Sequence, residues 1–424
     1  MHEKVSTVCL AVFGCLGLYI ALSLCYKHYL VKYYEYYGFS FEAPCEGAVL
    51  LHLALIVFFS LQLVRLFSEV TVTNITLVLM VILNLIPATV MFTYKPALHE
   101  FFYYCYWVTL IVLSRVIVPL HRGRGYSETV SVFKAASIII FLVLLYSWGA
   151  YAHFNIQLDV LDVYGTRLES RSYAIPTVLL YAISTSNILI PLLIVWAWQN
   201  KQWFYLTLQC LSALIYFWMY AVKLFLLLIL LACVICFLYK RQLHLRYYPL
   251  AFMLLVLIGL AAAQIMGRSM LIDLLIRRGM FVPVRLDYAY FDFFTNHAPD
   301  YFRSSILRYF GYKSAYSGQA GIADLSFLIG LEYFGSISMR ANNGLFSDAF
   351  ANLGIAGTFF MPLLITALLK AFDTASEGHD EHLVLLLSIA ISSALISSSF
   401  FTNLVTHGLL FLLVFVYLLP RNSL

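Results

Sequence analysis

The chain has 424 residues, 62% hydrophobic and 11% charged, with a net charge of +5. A soluble domain carries about 25% charged residues, so this composition excludes a protein whose main solvent is water. The basic residues are spread among apolar runs and read as topology determinants. No nucleic-acid partner is expected.

Apolar runs of the length that crosses a hydrocarbon layer, about 17–25 residues, occur near 5–26, 47–66, 74–93, 101–120, 131–152 and 174–198. The series continues near 203–220, 224–239, 249–266, 348–370, 383–402 and 404–420. They predict an all-α polytopic membrane protein of about 12 transmembrane helices. Helices 1–9 with short loops fill 1–266, a large outer loop takes 267–347, and helices 10–12 fill 348–424. The first run is longer than a signal-peptide core and reads as a retained span. Lys4, Arg122, Arg124, Lys201, Lys240, Arg241, Arg246 and Arg421 fall on one side if the spans alternate, which places both termini in the cytoplasm. The eight cysteines lie mostly in or beside apolar runs and imply no disulfide framework.

Three polar constellations interrupt this pattern. The first is the stretch from Gly267 to Ser347, with Arg268, Arg277, Arg278 and Arg285 inside eighteen residues. Guanidinium groups hold phosphate oxygens bidentately and stay charged at any relevant pH. The competing reading is snorkelling towards anionic lipid heads. LIDLLIRR and YFRSSILRYF pair apolar residues at helical spacing with basic ones, predicting short interfacial helices that cap the bundle. The second constellation is RANNGLFSDAFANLGIAG. Asp348 and Asn352 share one helix face there, behind Arg340, Asn342 and Asn343. Asparagine capping accounts for one of these residues, whereas polar groups entering hydrocarbon are costly and usually functional. The third is LDVYGTRLESRSY, where Arg167 and Arg171 lie one turn apart and offer a second basic wall or a solvated face with internal ion pairs. Lys223, in a tight outer turn, reaches the same cavity or snorkels. HDEH at 379–382 reads as a solvated inner loop rather than a metal site. No Asp-x-Asp, P-loop or zinc-protease pattern is present.

The RRGMFVPVRLDYAYFDFF stretch, the ANNGLFSDAFANLGIAG helix entry and the DVYGTR loop resemble the O-antigen and capsule repeat-unit polymerases of bacteria (Wzy-type). The many-span layout with one dominant outer loop is similar as well. The resemblance implies inverting transfer, at the periplasmic face of the inner membrane, of an undecaprenyl-pyrophosphate-linked glycan onto a newly flipped lipid-linked repeat unit. It implies no cofactor and no metal, and as partners lipid-linked glycans, membrane lipids, a chain-length regulator and a flippase. Arginines would stabilise the leaving pyrophosphate, and the acceptor hydroxyl needs a general base. Asp348 is the first choice of base, followed by Asp287 and His297. Arg268, Arg277, Arg278, Arg285, Arg340, Asn342, Asn343, Asn352, Arg167, Arg171 and Lys223 are expected to bind substrate. Tyr288, Tyr290 and Phe294 either pack on sugar rings or anchor the loop. The alternatives are an O-antigen ligase, which shares the donor class, and a lipid-linked oligosaccharide flippase or secondary transporter.

Overall fold

A computed structural model describes residues 2–120, 130–156, 169–170, 172–221, 223–238, 244–317 and 324–419. All regular structure among them is helical. Among the described residues seven helices are long and apolar enough to cross a membrane: Val5–Tyr37, Glu46–Leu66, Val72–Tyr94, Val130–Ala152, Thr177–Gln199, Leu245–Met266 and Leu345–Ser376. Several runs expected to span form shorter helices instead, at Glu100–Val116, Lys223–Leu238, Glu381–Ser397 and Leu409–Leu418. The reason is local for the last two. Ser397–Ser398–Ser399 ends one helix, and Gly408, with φ of 76°, starts the next.

The chain divides into two compact units. The first comprises Met1–Val118, His244–Leu369 and Ser392–Thr402. Its centre is Val72–Tyr94, apolar on nearly every side and buried over 94% of its most apolar window. An all-round apolar helix is a core helix. The N-terminal helix packs along Tyr248–Met266 and Glu46–Leu66. Gly17 permits this approach, because a Cβ there would collide with the Met253 side chain. The second unit comprises Pro119–Leu243, Lys370–Ile391 and Asn403–Leu424. In it Val130–Ala152, Thr177–Gln199 and Trp203–Tyr220 pack together. Phe133 stacks on Trp196 at 4.1 Å between centroids, and Gln209 donates to the Ser137 carbonyl at 3.1 Å.

Two features of the first unit depart from the sequence-based expectation. The N-terminal helix does not stop near residue 26. It continues through a π-helical segment (Tyr26–Leu30), Val31–Tyr34 and a 3₁₀ turn (Glu35–Tyr37). Much of the predicted first outer loop is therefore helix. The start of the large loop is not a set of short surface helices either. Residues 270–296 form one continuous helix, π-helical over Ile272–Phe281 and α-helical over Val282–Asn296. Its apolar face is buried through Ile272, Ile276, Met280, Phe281 and Val284, each at most 1% exposed. The spacing that suggested a membrane-surface helix instead serves packing against Val72–Tyr94.

Candidate functional site

The two extended helices meet along a ladder of tyrosines and arginines. The N-terminal helix supplies Tyr29, Tyr33, Tyr34 and Tyr37. The Tyr29 and Tyr34 hydroxyls donate to Asp273 Oδ1 at 3.1 and 2.6 Å, and Tyr33 donates to the Gly267 carbonyl at 2.8 Å. Arg268 lies over the Tyr33 ring at 5.1 Å, and Arg277 over Tyr34 at 4.3 Å. Such cation–π seats hold a guanidinium in place while leaving N–H donors unused.

At the end of the ladder the cations crowd together. Arg285 rests over Phe334 at 5.4 Å, and its guanidinium presses on Gly38 so closely that a Cβ there would collide with it. Gly38 has φ of 90°, so glycine is required twice over, for the left-handed turn and for the close approach. Lys95 donates to the Gly38 carbonyl at 3.0 Å. The fields of Arg277, Arg278 and Arg285 converge on the Tyr37 hydroxyl. Burial, and after it the neighbouring Arg285, holds the Lys95 ammonium below the usual lysine range, with Glu42 opposing part of the shift. Burial likewise lowers Arg285. Among the described residues none of these four cations has a carboxylate within ion-pair distance. Asp273, one turn before Arg277, is engaged by the two tyrosines. Clustered cations with unused donors and no carboxylate at ion-pair distance have the chemistry to bind an anion.

Arg278 is exposed, as are Arg268 and Arg340. Arg340 lies over Phe327 at 4.9 Å, one residue from Met339, whose sulfur receives the Tyr37 hydroxyl at 3.9 Å. Asn342 is exposed beside it. Arg167 and Arg171 lie outside the described residues. Lys223 opens the helix Lys223–Leu238 in the second unit, and its side chain is outside them too.

The polar residues of RANNGLFSDAFANLGIAG are placed differently. Asp348 is 5% exposed, and both its oxygens are occupied. Oδ1 accepts from Asn352 Nδ2 at 2.8 Å, and Oδ2 accepts from the Phe400 backbone N–H at 2.7 Å. That carboxylate caps the helix Phe400–Val405, and no substrate hydroxyl reaches it without displacing a cap. Asn352 Oδ1 in turn accepts from the Phe302 N–H at 2.7 Å. Asn343 Nδ2 donates to Pro283 O, Asp287 Oδ1 and Ser347 Oγ at 2.8–3.0 Å. Asp287 Oδ1 also accepts from Ser347 Oγ at 2.6 Å. Burial pushes the Asp287 carboxyl up to about 8 despite these donors. Two residues after Arg285 on a helix, it points to the opposite side and into the core. These expected catalytic and substrate-binding residues are internal struts.

His297 is exposed, but its ring stacks on Phe293 at 4.1 Å between centroids. It lies twelve residues beyond Arg285, about 18 Å along the helix, so the arginines and this histidine do not share a site. Tyr290 and Phe294 are buried, Tyr290 donating to the Ala341 carbonyl at 2.9 Å. Tyr288 donates to the Lys95 carbonyl at 2.5 Å. All three pack internally and present no open ring to a sugar. An exposed ring next to the cations is Tyr36, 82% accessible beside Tyr37.

Asp292 escaped the sequence reading. It is exposed, and its Oδ2 accepts from the Tyr333 hydroxyl at 2.7 Å. Seven residues from Arg285, it shares that residue's helix face two turns on. The i, i+7 spacing within RLDYAYFD was the available signal. Burial and the hydrogen bond to Asp292 raise the Tyr333 phenol above its usual range, so it stays a donor.

Compared with family models, curated proteins and solved structures, the chain matches none. Its class follows from its own helices: an all-α polytopic membrane protein.

Proposed function

We propose that the chain is a polymerase of lipid-pyrophosphate-linked oligosaccharide repeat units. It transfers a growing glycan, with inversion, to the next repeat unit at the outer face of a bacterial inner membrane. The observation that carries this reading is the cluster of Arg277, Arg278, Arg285 and Lys95 around Tyr37 and Gly38, basic and without an ion-paired carboxylate among the described residues. A diphosphate leaving from a sugar carbon develops negative charge, and preorganised guanidinium groups stabilise it without a metal. An apolar groove of about 650 Å³, lined by Leu51, Leu55, Leu98, Phe101, Val108 and Phe359, includes Leu98, three residues along the chain from Lys95 of the cluster. A lipid chain would lie there while its head reaches the cations. The resemblance in the arginine-rich stretch supports the same substrate class.

The test is deletion of the gene scored by a surface-glycan gel. A single repeat unit on the lipid core is the expected outcome. Loss of all attached glycan would assign the chain to ligation or flipping instead. Arg278→Ala combined with Arg285→Ala should reproduce the deletion, and a normal ladder in that variant removes the site assignment.

A further inference from the structure

We infer that Asp292, positioned by Tyr333, is the general base of the proposed transfer and belongs to the same site as the arginine cluster. The inference rests on the polymerase reading and goes beyond it by naming the proton acceptor. Three observations carry it. Asp292 is an exposed carboxylate on the Arg285 face of the helix Val282–Asn296. One oxygen is held by Tyr333 at 2.7 Å, which fixes its direction, and no hydrogen bond occupies the other among the described residues. Tyr333 itself lies within the fields of both Asp292 and Arg285, and its neighbour Phe334 carries the Arg285 guanidinium. Anion site and carboxylate are thus two helical turns apart, about 10 Å along the axis.

Inverting transfer requires this kind of separation, with the leaving group and the base on opposite sides of the sugar ring. In the step, the acceptor hydroxyl oxygen bonds to the anomeric carbon as its proton passes to Asp292. The bond from that carbon to the diphosphate oxygen breaks, and its electron pair leaves with the diphosphate held by Arg277, Arg278 and Arg285. Asp348 has both oxygens engaged inside the fold, and Asp287 is 1% exposed with its Oδ1 held by Asn343 and Ser347, so neither faces a substrate as Asp292 does.

The bland alternative is that Asp292 only pins the helix Leu325–Phe334 through Tyr333. Asp292→Asn separates the two, since an amide oxygen still accepts from Tyr333 but takes no proton. The full chain is tested in its host for the glycan ladder, and purified in nanodiscs for binding of undecaprenyl pyrophosphate. Asp292→Asn is expected to leave single repeat units, with unchanged affinity for the probe and unchanged melting temperature, and Asp292→Glu to restore part of the ladder. A full ladder in Asp292→Asn, while the arginine double variant has none, overturns the base and leaves the polymerase standing. Loss of affinity together with the ladder makes Asp292 a binding residue and also overturns it. A normal ladder in the arginine double variant removes the polymerase reading and the base with it. Should Asp292→Asn fail to accumulate, Tyr333→Phe decides: slower polymerisation at unchanged affinity is expected, and wild-type rates overturn the positioning.

Discussion

Two polar regions of the first unit look alike in sequence and are opposite in physics. In RANNGLFSDAFANLGIAG, Asp348, Asn352, Asn343 and Ser347 exchange hydrogen bonds with Asp287, Phe302 and Phe400, and the carboxylates are buried. Around Tyr37 and Gly38, cations gather with no carboxylate at ion-pair distance among the described residues. Both regions place polarity where it is costly. The first balances that cost within the fold. The second has no carboxylate at ion-pair distance among the described residues, and in the proposed function a bound anion balances it, so function is sought in unsatisfied groups and not in polarity alone.

This contrast can be broken by experiment, and the arginine side gives the largest effect. Each charge-assisted hydrogen bond contributes about 1.5–3 kcal/mol, so Arg278→Ala with Arg285→Ala should weaken undecaprenyl pyrophosphate binding roughly 100-fold or more. Equal affinity in the double variant would erase the distinction between the regions. Next is the pH dependence of Asp287. Its folded value of about 8 lies well above the ordinary 3.8. Between those values the folded chain holds a proton that the unfolded chain has released. Stability therefore falls as pH rises and levels off above about 8. Melting temperature in detergent should drop by several degrees over that window, and Asp287→Asn should flatten the curve. A matching slope in the variant would mean another group titrates.

Asp348→Ala should destabilise by about 1–3 kcal/mol, because the buried Phe400 N–H loses its acceptor, while probe affinity stays as in the wild type. A loss of affinity without a loss of stability would return Asp348 to the site. The smallest effect belongs to Gly38→Ala. A left-handed non-glycine residue costs about 1–2 kcal/mol, and the new methyl displaces the Arg285 guanidinium. Its melting temperature and its probe affinity should fall together, and a variant that melts lower but binds normally would place Arg285 outside the anion site.

Much of the architecture was legible in the chain alone. Apolar run length is a local property, so the helical membrane class and the approximate span positions follow from it. The arginine stretch was equally visible as a charge cluster. The continuation of the first helix to Tyr37 was not, because YKHYLVKYYEYY is too polar and aromatic to read as a span. Its tyrosines are held by Asp273 and Gly267, more than two hundred residues away. Asp292 was overlooked for a related reason. Its neighbour Asp287 has the same chemistry in sequence, and only packing turns one carboxylate inward and the other out.

The sequence by itself determined the solvent of this protein, its helical class and the segment that concentrates positive charge. Tertiary structure alone decided which polar groups serve the fold and which remain available. The reason is the range of the interactions. Hydrophobicity and charge are carried by each residue, whereas a hydrogen bond to a distant backbone N–H, such as that of Asp348 to Phe400, exists only once the chain has folded.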